Sequence, residues 1–128
     1  MSAPTSSHSV VTSIGQIALS VRDLPRAVAF YRDILGLTFL FEAGQMAFFD
    51  CAGVRLMLSS QEQQDAAYSS ILYYRTEDIH AASATLKDRG VQFEAPARMI
   101  AKMPDHELWM AFFRDSENNL LAIMSEVR

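Results

Sequence analysis

The segment MPDHELW (103–109) holds the densest group of side chains able to move protons, because Asp105, His106 and Glu107 follow one another. An imidazole titrates near neutral pH and a neighbouring carboxylate can orient it, so His106 is a candidate general base. The alternative is an exposed polar loop, since turns attract the same residue types. Cys51 has no neighbour in the sequence that would activate its thiol. We therefore do not assign it a reactive role.

Composition limits the class of protein. The 128 residues suit one domain, and 50% of them are apolar. A single cysteine excludes an intramolecular disulfide and a multi-cysteine metal site, and it fits a reducing cytoplasm. The net charge is -4 without any basic stripe, which disfavours nucleic acid and favours neutral or cationic small molecules as partners.

The ends and the apolar runs of the sequence carry no membrane or targeting signal. The first twelve residues are small and polar, without the basic and apolar regions of a signal peptide, so we interpret 1–12 as a flexible tail. No apolar run approaches the length of a membrane span. We expect a soluble, cytoplasmic protein with one domain at 13–128.

That domain consists of two similar modules, at about 13–60 and 70–128. Asp23 aligns with Asp78 at an offset of 55, and DCAGVRLML (50–58) aligns with DSENNLLAI (115–123) at an offset of 65. The second module therefore has about ten extra residues, which we place as an insertion within 94–107.

Each module begins with a strand that leads into a helix. Apolar residues alternate in QIALSV (16–21), as in a strand with one buried face. Asp23 and Asp78 are suitable N-caps for the helices that follow, and Gly36 and Gly90 can adopt the left-handed conformation that ends them.

Three further strands follow each helix. The predicted segments are 38–42, 45–50 and 54–60 in the first module, and 91–95, 108–114 and 119–125 in the second. The pattern is therefore βαβββ, twice, which predicts an α+β fold.

This duplicated unit, with D-L-x-x-A-x-x-F-Y-x-x-x-L-G after the first strand and FFRDSENNLLAIMSE near the end, resembles the vicinal oxygen chelate superfamily. That superfamily includes glyoxalase I, extradiol dioxygenases, fosfomycin-resistance enzymes and bleomycin-resistance proteins. The resemblance implies that two concave sheets form one barrel-like funnel, within one chain or between the two chains of a homodimer.

The resemblance also implies where a divalent metal would bind. Enzymes of the superfamily take two ligands from each module, from its first and last strands. The matching positions are Gln16, Met57, Ile71 and Ala122. Isoleucine and alanine offer no donor atom and a thioether is soft, so only Gln16 is a ligand of the usual type. We expect no metal and no other cofactor, with a divalent ion as the less favoured alternative.

Strand parity predicts which side chains line the funnel, because alternate residues face the same way. The predicted ligand-binding residues are Gln16, Met57, Ile71, Tyr73, Arg75, Met110, Phe112, Ala122 and Met124. On the seventh strand a one-residue slip would instead present Trp109, Ala111 and Phe113. The same apolar side chains are also consistent with a plain barrel core.

Three functions fit these observations. The favoured one is a metal-free protein similar to the bleomycin-resistance group, which binds a small apolar or aromatic compound. The second is a lyase, isomerase or dioxygenase-like enzyme that uses His106 or a non-standard metal. The third is an accessory module that associates through a sheet edge or a dimer face.

Overall fold

The computed structural model describes residues 13–60 and 70–128, so the expected tail at 1–12 and most of the segment between the modules lie outside the described residues. The elements are β1 (Gln16–Ser20), α1 (Leu24–Ala29) with a π-helical turn (Phe30–Ile34), β2 (Thr38–Ala43), β3 (Met46–Cys51), β4 (Val54–Ser59), β5 (Leu72–Arg75), α2 (Ile79–Asp88), β6 (Arg98–Lys102), β7 (Glu107–Arg114) and β8 (Leu120–Val127). Neither helix is long and apolar enough to cross a membrane.

The strands form two four-stranded sheets, in the orders β1-β4-β3-β2 and β5-β8-β7-β6. The β1–β4 and β5–β8 pairs are parallel, and the other pairs are antiparallel. The prediction of an α+β fold with two βαβββ modules is therefore confirmed. The two sheets of one chain do not close into a barrel.

The strand register repeats between the modules. Ile17 lies opposite Leu56 in the first sheet, and Leu72 lies opposite Leu121 in the second. The second pair is the first one shifted by the two sequence offsets, 55 and 65. The alignment that assigned Ile71 and Ala122 as counterparts of Gln16 and Met57 is therefore consistent with the hydrogen-bonded register.

The two helices begin alike but differ in length by one residue. Asp23 and Asp78 both cap by accepting hydrogen bonds from backbone amides of the first turn. The extra residue of the first module is absorbed in the π-helical turn, where the Leu35 amide donates to the Phe30 carbonyl at 3.0 Å. Gly36 follows with a positive φ of 79°, as expected of the residue that ends the helix.

The sixth strand is the main error of the sequence prediction. The segment 91–95 contributes only an isolated bridge between Phe93 and Phe113, and the strand itself is Arg98–Lys102, inside the expected insertion. The chain bends at 94–95, and Pro96 has no amide hydrogen to donate to β7, so the ladder is interrupted there.

The main hydrophobic core lies between the helices and one face of each sheet. Its fully buried large side chains are Tyr31, Phe49, Leu58, Ile79, Phe113 and Leu121. One cluster includes residues of both modules, so the modules share this core, and within 13–60 and 70–128 nothing covers the opposite face of each sheet.

The turn 115–119 of the second module docks onto the start of α1 in the first. Glu117 accepts hydrogen bonds from the Arg22 and Asp23 amides at 2.8 and 2.9 Å. It also forms an ion pair with Arg26 at 2.8 Å. Asp115 accepts a buried hydrogen bond of 2.6 Å from the Tyr31 hydroxyl. These bonds fix how the modules are joined.

The Glu117 carboxylate is stabilised in its charged form. Burial by itself would raise its pKa, but the hydrogen bonds from Arg26 and from the Asp23 and Arg22 amides outweigh burial and lower the pKa to about 2. A depressed carboxyl pKa stabilises the fold above the unfolded-state value of 4.5, and this stabilisation is lost as the pH falls towards 2.

Replacing Glu117 with glutamine should lower the free energy of unfolding by about 2 kcal/mol at neutral pH, because the network loses the negative charge and one of its two acceptor oxygens. The deficit should shrink between pH 4.5 and 2, where the wild type loses its own carboxylate. Urea unfolding across this range measures both effects. Glu94→Gln, at an exposed pair 3.6 Å from Arg114, is the control and should change stability by less than about 0.5 kcal/mol. A pH-independent deficit in Glu117→Gln would contradict the assignment.

Candidate functional site

The open face of the first sheet carries Gln16 and its neighbours. On β1, Leu19 is turned into the core, whereas Gln16 and Ala18 are exposed on the other face. Met57 lies opposite Ala18 on β4, and the Gln16 Nε2 atom lies 3.9 Å from the Met57 sulfur. The structure therefore brings together the two predicted site residues of the first module.

An aromatic group continues this face across the sheet. Phe48 is the cross-strand partner of both Met57 and Phe41, and the Phe41 and Phe48 rings stack with centroids 4.6 Å apart. The Arg55 guanidinium lies over the Phe48 ring, 5.9 Å from its centroid. Sequence reasoning missed Phe41 and Phe48, although the parity argument applied to β3 would have selected Phe48.

The open face of the second sheet has an aromatic centre at the equivalent level. Tyr73, Ala122 and Phe112 are successive cross-strand neighbours. The Tyr73 and Phe112 rings meet edge to face with centroids 5.9 Å apart, and Ala122 between their strands is fully buried. The small side chain of Ala122 leaves room for this contact, while Tyr73 remains 45% exposed.

The next row of cross-strand neighbours on this face has an arginine at each end. Arg75 lies opposite Met124, Met124 opposite Met110, and Met110 opposite Arg98. Both methionines are half-buried and both arginines are exposed. Three predicted site residues of the second module, Arg75, Met110 and Met124, therefore share a surface with Arg98, which the sequence prediction did not include.

The structure also defines the register of β7. Ala111 and Phe113 are buried in the main core, and the Phe113 ring packs against Phe93 with centroids 5.3 Å apart. Trp109 lies on the same side, where its indole nitrogen donates to Glu107 and its ring contacts His80. The open face therefore presents Met110 and Phe112, not the set produced by a one-residue slip.

The predicted metal positions do not form a metal site. Gln16 offers one neutral amide oxygen beside the soft sulfur of Met57, whereas Ile71 (39% exposed, just before β5) and Ala122 offer no donor atom. Within 13–60 and 70–128, no three His, Cys, Asp or Glu side chains are grouped so that they could bind a metal ion. The residues present do not fit the divalent ion of the enzymes that the fold resembles.

His106 forms an oriented pair with its neighbour. Its Nδ1 atom lies 2.8 Å from the Asp105 carboxylate, which also pairs with Arg128 at 3.0 Å. The hydrogen bond from His106, followed by that from Arg128, lowers the pKa of Asp105. Arg128 in turn lines a groove of about 360 Å³ beside Trp109 and His80, on the helix side of the sheet. The described contacts thus link His106 to this groove.

Cys51 ends β3 and is only partly exposed. Burial, followed by the charge of Asp50, raises the pKa of its thiol. A raised pKa disfavours the reactive thiolate, which agrees with the absence of an activator in the sequence.

The fold is a duplicated βαβββ unit with two open sheet faces, and the positions matched to metal ligands are occupied by Gln16, Met57, Ile71 and Ala122. The chain belongs to the Glyoxalase/Bleomycin resistance protein/Dioxygenase superfamily, whose family model matches residues 13–123.

Two curated proteins are similar in sequence. The uncharacterized protein YraH of Bacillus subtilis is 29% identical, over 84% of this chain and 94% of that protein. The metallothiol transferase FosB of Staphylococcus epidermidis is 30% identical, over 88% of this chain, and the match spans 66% of the length of FosB.

Solved structures show the same fold at lower identity. The antibiotic-binding protein TnmS3 from Streptomyces sp. CB03234 matches with a TM-score of 0.73 at 22% identity, over 93% of this chain and 99% of TnmS3. Lactoylglutathione lyase from Agrobacterium tumefaciens matches with a TM-score of 0.72 at 21% identity, over 90% of this chain and 94% of the lyase. The same fold thus carries a binding protein and an enzyme by their names, so the fold alone does not assign the activity.

Replacing Ala122 with glutamate should not create a tight Mn²⁺ or Ni²⁺ site, because Met57 and Ile71 remain unable to bind a hard or borderline ion. The substitution should also destabilise the fold, since Ala122 is fully buried between Tyr73 and Phe112. Calorimetric titration with each metal and thermal unfolding measure the two effects. Gln16→Ala, at an exposed position, is the control for stability and should unfold like the wild type. Tight binding by Ala122→Glu alone would show that the ligand alignment is wrong.

Proposed function

We propose that this chain is a metal-free, cytoplasmic small-molecule binding protein that holds an apolar or aromatic compound on the open faces of its two sheets. The observation that carries the proposal is that three of the four matched positions, all but Gln16, have side chains that cannot bind a hard or borderline ion. Where the superfamily's enzymes have ligands, this chain has a thioether, an alanine beneath two aromatic rings and an isoleucine.

The exposed apolar surface supports binding. Tyr73 and Phe41 are 45% and 47% exposed, although each contacts a second aromatic ring on its own face. Large apolar side chains grouped on one surface, with a few polar groups such as Gln16 among them, are typical of small-molecule sites.

A homodimer is part of the proposal. The two sheets of one chain are not hydrogen-bonded to each other, and their open faces lack a cover within the described residues. A second copy that places one open face against the other would enclose both aromatic groups. Light scattering should then give twice the 14.3 kDa of the chain.

A thermal-shift panel of neutral, cationic and anionic aromatic compounds, run with and without EDTA, tests the binding function. We expect compounds that stabilise the protein equally in both conditions, because no metal takes part. Shifts that need added Mn²⁺ or Ni²⁺ would contradict metal-free binding. No shift with any compound would contradict the function itself, and a specific protein partner in a pull-down would then favour the accessory-module reading.

For any compound found in this way, Phe112→Ala should weaken binding by about ten-fold, since truncation removes a ring from the aromatic centre. Met99→Ala is the matched control, because Met99 is exposed on β6 opposite Trp109, on the face away from the site. Calorimetry on both variants measures the effect. Equal weakening by both variants would argue against a site on the open face.

The second candidate function is an enzyme that uses His106. The pair with Asp105 at 2.8 Å favours this candidate, because it orients the imidazole as a general base requires. A compound that is bound and then converted, with conversion lost in His106→Gln and retained in His80→Gln, would establish catalysis in place of binding alone.

A further inference from the structure

We infer that the compound bound on the second sheet is an organic anion, an aromatic or apolar body that carries a carboxylate, sulfonate or phosphonate group. This inference rests on the proposed binding function and names the ligand class of the same site. It departs from the expectation drawn from the net charge of -4, because this face presents two arginines that form no ion pair with the described residues.

Arg75 is the first cation. It lies two residues after Tyr73 on β5, so the two side chains stand on the same face as neighbours. Across the sheet its partner is Met124, which is uncharged. Arg75 is exposed and forms no ion pair with the residues that the structure describes.

Arg98 is the second cation. It lies at the opposite edge of the same cross-strand row, next to Met110, and it too forms no ion pair within the described ranges. Three strand spacings separate the two arginines, about 14 Å between backbones. The row therefore has an apolar middle and a positive charge at each end.

Other charged groups near this face are already paired. Arg114 lies 3.6 Å from Glu94, and Glu126 lies 3.4 Å from Arg128. On the first sheet Arg55 stands opposite Asp50 in the ladder and over the Phe48 ring. Among the described residues, Arg75 and Arg98 are thus the arginines of the second sheet's open face that form no ion pair.

The arrangement fits one ligand geometry. An aromatic body packs on the Tyr73 and Phe112 rings, and its anionic group lies against Arg75, which is the cation adjacent to Tyr73. A guanidinium binds such oxyanions through paired N–H donors. Arg98 contributes a longer-range attraction from the far edge, which is weaker and more strongly screened by salt.

Naphthalene-2-carboxylate and naphthalene-2-carboxamide test this inference, because they have the same ring system and differ in charge. In calorimetry with the full chain, the carboxylate should bind about ten-fold more tightly than the amide, and added salt should weaken the carboxylate alone. Naphthalene-2-sulfonate should behave like the carboxylate if the charge, not the carboxylate shape, is recognised.

Arginine variants locate the contact. Arg75→Gln should reduce carboxylate affinity by about ten-fold, and Arg98→Gln should reduce it by about three-fold, with amide binding unchanged in both. Arg32→Gln is the matched control, since Arg32 is exposed on the π-helical turn and pairs with its neighbour Asp33 at 2.8 Å. It removes the same charge away from the site and should alter neither affinity.

The outcomes separate the two proposals. Equal binding of carboxylate and amide, with Arg75→Gln changing neither, overturns the anionic class and leaves apolar binding intact. Equal losses in Arg75→Gln and Arg32→Gln also overturn it, because the effect would then follow net charge alone. Binding by no naphthyl compound and by no compound of the wider panel overturns the binding function and this inference together.

Discussion

The docking of the turn 115–119 onto the start of α1 is the interaction on which the rest of the structure depends. Each sheet packs its own helix on one face, and such a module by itself leaves core residues at the join exposed. Glu117 and Asp115 connect the modules through backbone amides, a guanidinium and a buried phenol. Burial, and then the charge of Asp115, raises the pKa of Tyr31, which keeps its hydroxyl protonated as a donor. Because this contact lies on the helix side, it leaves the other face of each sheet open within the described residues.

The two open faces are variations on one pattern. Phe48 and Phe112 occupy equivalent places beside the last strand of each module, next to Met57 and Ala122. The first face has flexible Met57 beneath Gln16, and the second has a small alanine that lets two rings meet. The two modules therefore share one backbone arrangement. Different side chains at matching positions of the two sheets make their open faces chemically different. On the second face the aromatic centre lies next to arginines that form no ion pair with any described residue.

Most of the fold could be predicted from the sequence because its signals are local. Asp23 and Asp78 cap the helices that they precede, Gly36 and Gly90 end them, and period-2 alternation locates the strands. The sixth strand could not be located in this way. The residue pattern predicted it at 91–95, but Pro96 removes a ladder donor and pairing resumes at Arg98.

The site was only partly predictable for a related reason. Strand parity placed Tyr73, Arg75 and Phe112 correctly on the open face, because each belongs to a strand that was assigned correctly. Arg98 was missed because its strand was interpreted as an insertion. The partners of Glu117 were missed as well, since no sequence pattern indicates that a turn residue binds a helix start more than ninety positions away.

The π-helical turn has a consequence for how the two halves of the chain differ. The first module has one residue more than the second between its capping aspartate and its glycine. The second module has one residue more in its last turn, because its flanking pair is Phe113 and Leu121, whereas the pair in the first module is Phe49 and Leu56. These two length differences meet in space, because Tyr31 belongs to the π-helical turn and Asp115 to the longer turn. The two modules therefore make different contributions to the contact between them: the first supplies the π-helical turn and the second supplies the longer turn. Two copies of the same module would lack one of these two parts.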